Sequence, residues 1–199
     1  MSSVIDPELH RRNFRTVFAL AGLFLVPLLL SFWLYYGLHW RPRGTVNHGE
    51  LIVPARPLPD LALADASAVP ERHIFSGKWS LVYVGDGACD ANCKATLFFM
   101  RQTRLSLNNE MTRVQRVFLA TRACCDRAYL AAEHPGLRVF DASSPAAQPL
   151  LALFEPGGRA HGLYVVDPLG NLMMRYDARQ PPKGLLEDLK RLLQLSQIG

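Results

Sequence analysis

The chain has 199 residues, 49% hydrophobic and 20% charged, the balance of an ordinary globular protein with one packed core. Its net charge of +5 is spread thinly: from residue 51 onward, 17 basic and 14 acidic side chains are scattered without a basic run. That distribution excludes a nucleic-acid partner and suits anionic lipid or an acidic protein partner. Four cysteines are too few to build a disulfide scaffold in a domain of this size, so they need another reason.

Residues 1–16 form a short tail containing Arg11, Arg12 and Arg15. Residues 17–36 follow without a charge and are long enough to cross a hydrocarbon layer of ~30 Å, which predicts a transmembrane anchor over 17–38. Pro27 is tolerated within such a helix, and Trp33, Tyr35, Tyr36 and Trp40 suit its far interface. A cleaved signal peptide is the competing reading, but the apolar run exceeds the usual length and no small-x-small site follows closely. The basic tail before a first apolar segment predicts a single-pass protein of a bacterial inner membrane, with its N-terminus cytoplasmic and its C-terminal domain in the periplasm.

Residues 39–60 are rich in proline, glycine and polar side chains and read as a periplasmic linker, with the folded domain occupying 61–199. His39, His48, His73 and His134 are expected to be solvated. Regular structure is predicted to begin with a buried strand over 79–84. A loop carrying Cys89 leads into a helix over 92–107, whose apolar positions are Ala95, Leu97, Phe98, Met100 and Leu105. A second strand over 114–120 passes through Cys124 and Cys125 into a shorter helix over 127–133, and a third strand covers 137–140. Ser144 and Pro145 signal another helix, carrying Leu150, Leu151, Leu153 and Phe154. Strands over 163–166 and 172–176 form a hairpin around Pro168 and Gly170, and an amphipathic helix over 184–195 closes the chain. This order predicts an α/β domain of the thioredoxin-like fold, a central mixed sheet flanked by helices.

Cys89 and Cys93 carry the chemistry. A strand, loop and helix would place the first thiol in the loop and the second in the first helical turn, where unpaired amides favour thiolate. Thiolate binds soft metal or attacks a disulfide, and an inert structural disulfide is the bland alternative. Cys124 and Cys125 are adjacent, a spacing at which mutual pairing is strained. One of them could bond elsewhere, both could be small buried hydrophobes, or they could serve as accessory thiols, since both cysteine segments follow strands expected in one sheet. Met173 and Met174 fall on opposite strand faces, which packing explains.

Lys78 and Trp79 before the first strand, Gly85, the Cys89-x-x-x-Cys93 pair, the run from Tyr164 to Gly170 and the single anchor together resemble the Sco/SenC family of cytochrome oxidase assembly proteins. The resemblance spans roughly residues 45–197. It implies a thioredoxin-like fold, copper bound by Cys89, Cys93 and a histidine, and help in building the copper centre of cytochrome oxidase subunit II as copper donor or thiol reductant. His161 is the nearest counterpart of that histidine: it lies seven residues before Pro168, whereas the family's lies nine before, where this chain has Arg159. Two thiolates suit Cu(I), and an added imidazole accommodates Cu(II) as well.

Two other classes remain beside this reading. A general periplasmic thiol-disulfide oxidoreductase would act on several exported proteins, and a noncatalytic scaffold would keep the fold to bind oxidase subunits or other assembly factors. No nucleotide-binding loop, hydrolase triad or paired C-x-x-C zinc spacing is visible, and no organic cofactor is expected.

Overall fold

The computed structural model describes residues 7–38, 46–65, 70–122, 126–154, 162–178 and 184–199. Contacts divide the chain into two units, Met1–Val46 and Asn47–Gly199. In the first, helix α1 (Pro7–Phe32) runs through Pro27 and ends in a π-helical turn, Trp33–Gly37. The apolar part, Asn13–Gly37, is 25 residues long, about 37 Å at 1.5 Å per residue, and none of its most apolar stretch is buried. It is a candidate transmembrane helix, long and apolar enough to cross a bilayer.

The second unit is a thioredoxin-like domain built on an eight-stranded mixed sheet in the order β1-β8-β7-β4-β5-β6-β2-β3. Its strands are β1 (Glu50–Pro57), β2 (Leu63–Asp65), β3 (Pro70–Glu71), β4 (Trp79–Gly85), β5 (Val114–Ala120), β6 (Leu137–Asp141), β7 (Gly162–Val166) and β8 (Asn171–Asp177). Strands β4, β5 and β6 are parallel, β7 adds antiparallel to the free side of β4, and β8 pairs antiparallel with β7. Helix α2 (Ala91–Leu105) joins β4 to β5, and α3 (Arg127–Glu133) lies between β5 and β6. With α5 (Leu185–Leu195), they cover one face through Leu97, Met100, Leu130, Leu185, Leu189 and Leu193. The opposite face packs on Leu63, Ile74, Phe75, Ala147, Leu150 and Phe154.

Strand β4 is buried throughout, because it is hydrogen-bonded on both sides and covered on both faces. Its side chains divide by the strand period of two: Trp79, Leu81 and Tyr83 join the core beneath α2 and α5, and Val82 and Val84 join the other.

Several expectations are corrected. The stretch read as linker contains β1 at residues 50–57, paired antiparallel with β8 and tied by Arg175 to Glu50 at 2.6 Å. Its prolines argue against a central strand, but β1 is an edge whose register shifts between Leu51 and Arg56, where proline costs no ladder bond. Strands β2 and β3 were not expected, being two or three residues long. The helix expected after Pro145 is a 3-10 turn, Pro145–Ala147, and one turn of α-helix α4, Gln148–Leu151; Phe154 is buried beyond its end. Phe98 and Leu105 of α2 point outward. His134 is buried beside the Tyr129 hydroxyl at 3.4 Å, and burial, then the charges of Arg116 and Arg101, hold it below the ordinary histidine range.

His48 is likewise not simply solvated. Asp188 falls on the inward face of α5 with Leu185 and Leu189 and is buried. Its carboxylate accepts the Tyr176 hydroxyl at 2.7 Å, the His48 and Gly49 amides at 2.8 and 3.0 Å, and lies 3.2 Å from His48 Nδ1. Gly184, with φ of 90°, begins α5 where an added Cβ would collide with the His48 ring. One carboxylate thereby holds residues 48 and 49 against the last strand and last helix. Burial raises its pKa, but the hydrogen bonds from Tyr176, Gly49 and His48 together hold it below the usual carboxylate range.

A group with a depressed folded pKa contributes stability above its unfolded pKa and loses it as pH falls through the folded value. Asp188→Asn is therefore expected to lower urea stability at pH 7 by about 2 kcal/mol, a typical value for hydrogen bonds to a charged group. The gap between variant and wild type should close as the pH drops below about 4, near the reference carboxylate pKa. Urea unfolding of both proteins across pH measures this, and a gap independent of pH would contradict it.

Candidate functional site

The site forms where β4 stops. Strands β4 and β5 run parallel in register from Trp79 opposite Val114 to Gly85 opposite Ala120, so both end at one level. Beyond that level the Thr121 amide and hydroxyl both donate to the Gly85 carbonyl, at 2.9 and 3.1 Å, pinning the segment after β5 to the start of the cysteine loop. Across the surface, Arg122 reaches Asp86 at 3.4 Å, an exposed pair that adds little energy.

The loop is shaped by two aspartates. Asp86 accepts the Ala88 amide on its side chain at 3.0 Å and the Cys89 amide on its carbonyl at 3.1 Å. Cys89 is consequently held at φ of 45°, a left-handed conformation that side chains other than glycine rarely adopt. Asp90 is the N-cap of α2, its carboxylate accepting the Cys93 amide at 2.9 Å. Cys89 thus lies in the loop and Cys93 in the first helical turn, the placement expected from their spacing. The two form a disulfide, with Cα atoms 5.0 Å apart.

The pair sits beneath the surface: Cys89 is 6% and Cys93 2% exposed. Leu97, Met100, Phe118, Ala120 and Tyr83 belong to the same core cluster. Two opposing fields act there. The amino end of α2 favours a thiolate, and the Asp90 carboxylate that caps it disfavours one. The Tyr83 ring stacks on Phe118 with centroids 5.6 Å apart. Burial, then the charge of Asp90, push its phenol up to about 12.

His161, Cys124 and Cys125 lie outside the described residues. What is described is the chain next to them. Gly162 opens β7, whose Leu163 pairs with Tyr83, so β7 begins at the end of β4 from which the cysteine loop leaves. Among the described residues, no group of three or more His, Cys, Asp or Glu side chains is arranged to hold a metal ion. Met174 is buried and Met173 packs against the same core, in keeping with a packing role. Sequence reasoning missed Tyr83, Asp86, Asp90 and Thr121. Asp90 had a visible signal, an N-cap residue just before a helical pattern. Tyr83 had none, since its ring reads as one more core residue of a buried strand.

Residues 79–196 match the family model described as a transmembrane-like, thioredoxin-like, C-terminal domain. No curated protein sequence matches the chain. Among solved structures, it is similar to apo Sco1 from Thermus thermophilus at 22% identity, with 76% of this chain and all of that one covered and a TM-score of 0.62. Copper-bound yeast Sco1 is similar at 15% identity, over 70% of this chain and 94% of that one, with a TM-score of 0.60. BsSco, a Sco-family cytochrome c oxidase assembly protein in which a disulfide switch was identified, is similar at 15% identity over 74% and 99% of the two chains, with a TM-score of 0.57. At these identities the likeness concerns the fold.

Asp90→Ala should cost about 1 kcal/mol of stability, the usual loss for an N-cap side chain. It should also raise the reduction potential of the pair, because removing the carboxylate lets the helix amino end stabilise thiolate unopposed. Urea unfolding and redox titration against glutathione read the two effects separately, and a potential that falls would contradict the opposing-field account.

Proposed function

We propose that this chain, which belongs to the transmembrane-like, thioredoxin-like C-terminal domain family, is a membrane-anchored protein of Sco type that assists assembly of the copper centre of a respiratory cytochrome oxidase. The observation that carries the reading is the Cys89–Cys93 disulfide at the junction of the central strand and helix α2, within a fold shared with Sco proteins. In the layout we propose, residues 1–16 are cytoplasmic, 17–38 anchor the chain in a bacterial inner membrane, and the domain from residue 47 works in the periplasm. The exposed apolar surface of Asn13–Gly37 supports an anchor, since lipid would cover it.

As a thiol reductant, the pair needs no further ligand. One thiolate of the reduced pair attacks a disulfide in subunit II, forming an intermolecular disulfide and expelling a target thiolate. The second cysteine then attacks the first, restoring Cys89–Cys93 and releasing the target as a dithiol. Two electrons have passed to the target, whose cysteines become free to take copper. An exported dithiol returns the pair to its reduced form.

Copper delivery is the second mode, favoured by the copper-bound relative. Copper would be cargo here. The reduced sulfurs of Cys89 and Cys93 fit Cu(I), being soft donors held close together, and His161, adjoining Gly162 at the start of β7, is the proposed third ligand. Cys124 and Cys125 follow the segment that Thr121 pins to Gly85, which supports the proposal that they act as accessory thiols.

The deciding experiment titrates the reduced protein with Cu(I) against a competing chelator and, in parallel, offers it an oxidised subunit II fragment. A copper carrier should bind one ion tightly, lose it in Cys89→Ser/Cys93→Ser, and weaken about tenfold in His161→Ala, the scale of a lost ligand-sphere interaction. A reductant should convert the fragment to its dithiol stoichiometrically whether or not copper binds. Failure of both reactions would overturn the reading, and oxidase assembly that survives loss of both cysteines would replace it with the scaffold. Orientation is read independently: a periplasmic reporter fused after residue 199 should be active, and an inactive one would contradict the topology.

A further inference from the structure

Helix α2 carries apolar residues on two sides. One side is buried in the core through Cys93, Leu97 and Met100. On the other, Ala91, Ala95, Phe98, Gln102 and Leu105 follow at alternating spacings of four and three residues, which sets them in one line along a helix. All five are exposed, Phe98 at 50% and Leu105 at 46%. A single exposed apolar side chain needs no explanation, but a line of them marks a contact surface. The line starts at the disulfide, since Ala91 shares the first turn of α2 with Cys93. Phe98 lies about 10 Å further along at 1.5 Å per residue. Both sulfurs are beneath the surface, with Ala88, Asp90, Ala91 and Asn92 exposed around them, so a reaction partner has to come down on this end of α2.

The charge around the line has one sign. Helix α2 contains Lys94, Arg101 and Arg104 and no acidic residue, and Asp90 before it is engaged as the cap. The three cations are held by neutral groups: Lys94 Nζ lies 4.9 Å from the centre of the Tyr129 ring, Arg101 donates to the Glu133 carbonyl at 2.7 Å, and Arg104 to the Val114 carbonyl at 2.6 Å. Arg116 of β5 is buried near them and donates to the Pro135 carbonyl at 2.6 Å. Burial, then the charges of Arg104 and Arg101, lower its pKa to about 10, so it stays a cation at neutral pH. Among the described residues none of these four cations forms an ion pair. Arg104 in the last turn suits the helix dipole, whereas Lys94 near the first turn opposes it, so helix stability does not account for the set.

We propose that this face of α2 is the docking surface for the protein that exchanges with the Cys89–Cys93 pair, and that this partner presents acidic side chains around an apolar recess that takes Phe98. The inference rests on the function proposed above. On charge alone an anionic lipid surface would serve as well. Continuity with the disulfide favours the protein, because only a reaction partner has to meet the first turn of α2. The division of labour is the usual one: buried aromatic anchors slow dissociation, and complementary charge speeds encounter.

Phe98→Ser removes the anchor, and Arg101→Glu/Gln102→Glu reverses the charge about 12 Å along the helix from Cys93, beyond the screening length at physiological salt. With the full chain in detergent micelles, the second-order rate of transfer to an oxidised subunit II fragment, or of Cu(I) to the reduced fragment, should fall about tenfold in each variant. The rate with hydroxyethyl disulfide, small and neutral, should stay at the wild-type value. Raising salt from about 50 to about 500 mM should slow the wild type with the fragment and leave the charge variant unaffected. Variants that serve the fragment at the wild-type rate would overturn the docking surface and leave the proposed function standing. Equal losses with the fragment and with hydroxyethyl disulfide would also overturn it, as the mark of a change in the pair itself. Weaker binding to phosphatidylglycerol vesicles with an unchanged fragment rate would replace the protein partner with a lipid surface. A wild type that reacts with hydroxyethyl disulfide but passes neither electrons nor Cu(I) to the fragment would overturn the proposed function, and this inference with it.

Discussion

Strand β4 is hydrogen-bonded along its length to parallel β5 on one side and to antiparallel β7 on the other, and the cysteine site depends on where that strand stops. Parallel pairing brings the segments after β4 and β5 out at one edge of the sheet, and the antiparallel neighbour starts at that edge. Three chain segments thus meet at the site although residues 85, 121 and 162 are far apart in sequence. A backbone carbonyl at Gly85 accepting two hydrogen bonds from Thr121 makes the junction rigid. The Cys89–Cys93 disulfide is built on this junction.

The electrostatics of the pair are balanced rather than extreme. A helix amino end alone would drive Cys93 strongly toward thiolate and make its disulfide a ready oxidant. Asp90 caps that same end with a negative charge and restrains the tendency. Burial of both sulfurs acts in the same direction, since an anion loses solvation there. Under the function proposed above this restraint has a use, because an overstabilised thiolate would leave the pair a poor reductant.

The segment before the domain shows how a single polar cluster converts a proline-rich stretch into ordered structure. Asp188 gathers the amides of His48 and Gly49 with the Tyr176 hydroxyl, and the chain then continues as the edge strand β1. Nothing in residues 41–60 advertises this. The strand has no clean alternation of apolar side chains, since as an edge it buries little, and the aspartate that holds its start lies about 140 residues later. Local pattern reading finds strands that are buried and helices that are amphipathic. It misses edges held by backbone pairing, as it missed β1, β2 and β3.

The sequence by itself determined the long apolar helix, the five principal strands, the helices α2, α3 and α5, and the location of the Cys89–Cys93 pair between strand and helix. Each of these depends on periodicity, length or local spacing, which are properties of neighbouring residues. Only the tertiary structure decided that Tyr83 lies over Gly85, that Asp188 is a buried acceptor for residues 48 and 49, that His134 is enclosed, and that the sheet extends to eight strands. The reason is physical: a side chain's partner across the sheet or beneath a helix is chosen by register and packing, and neither is written in the residues on either side of it.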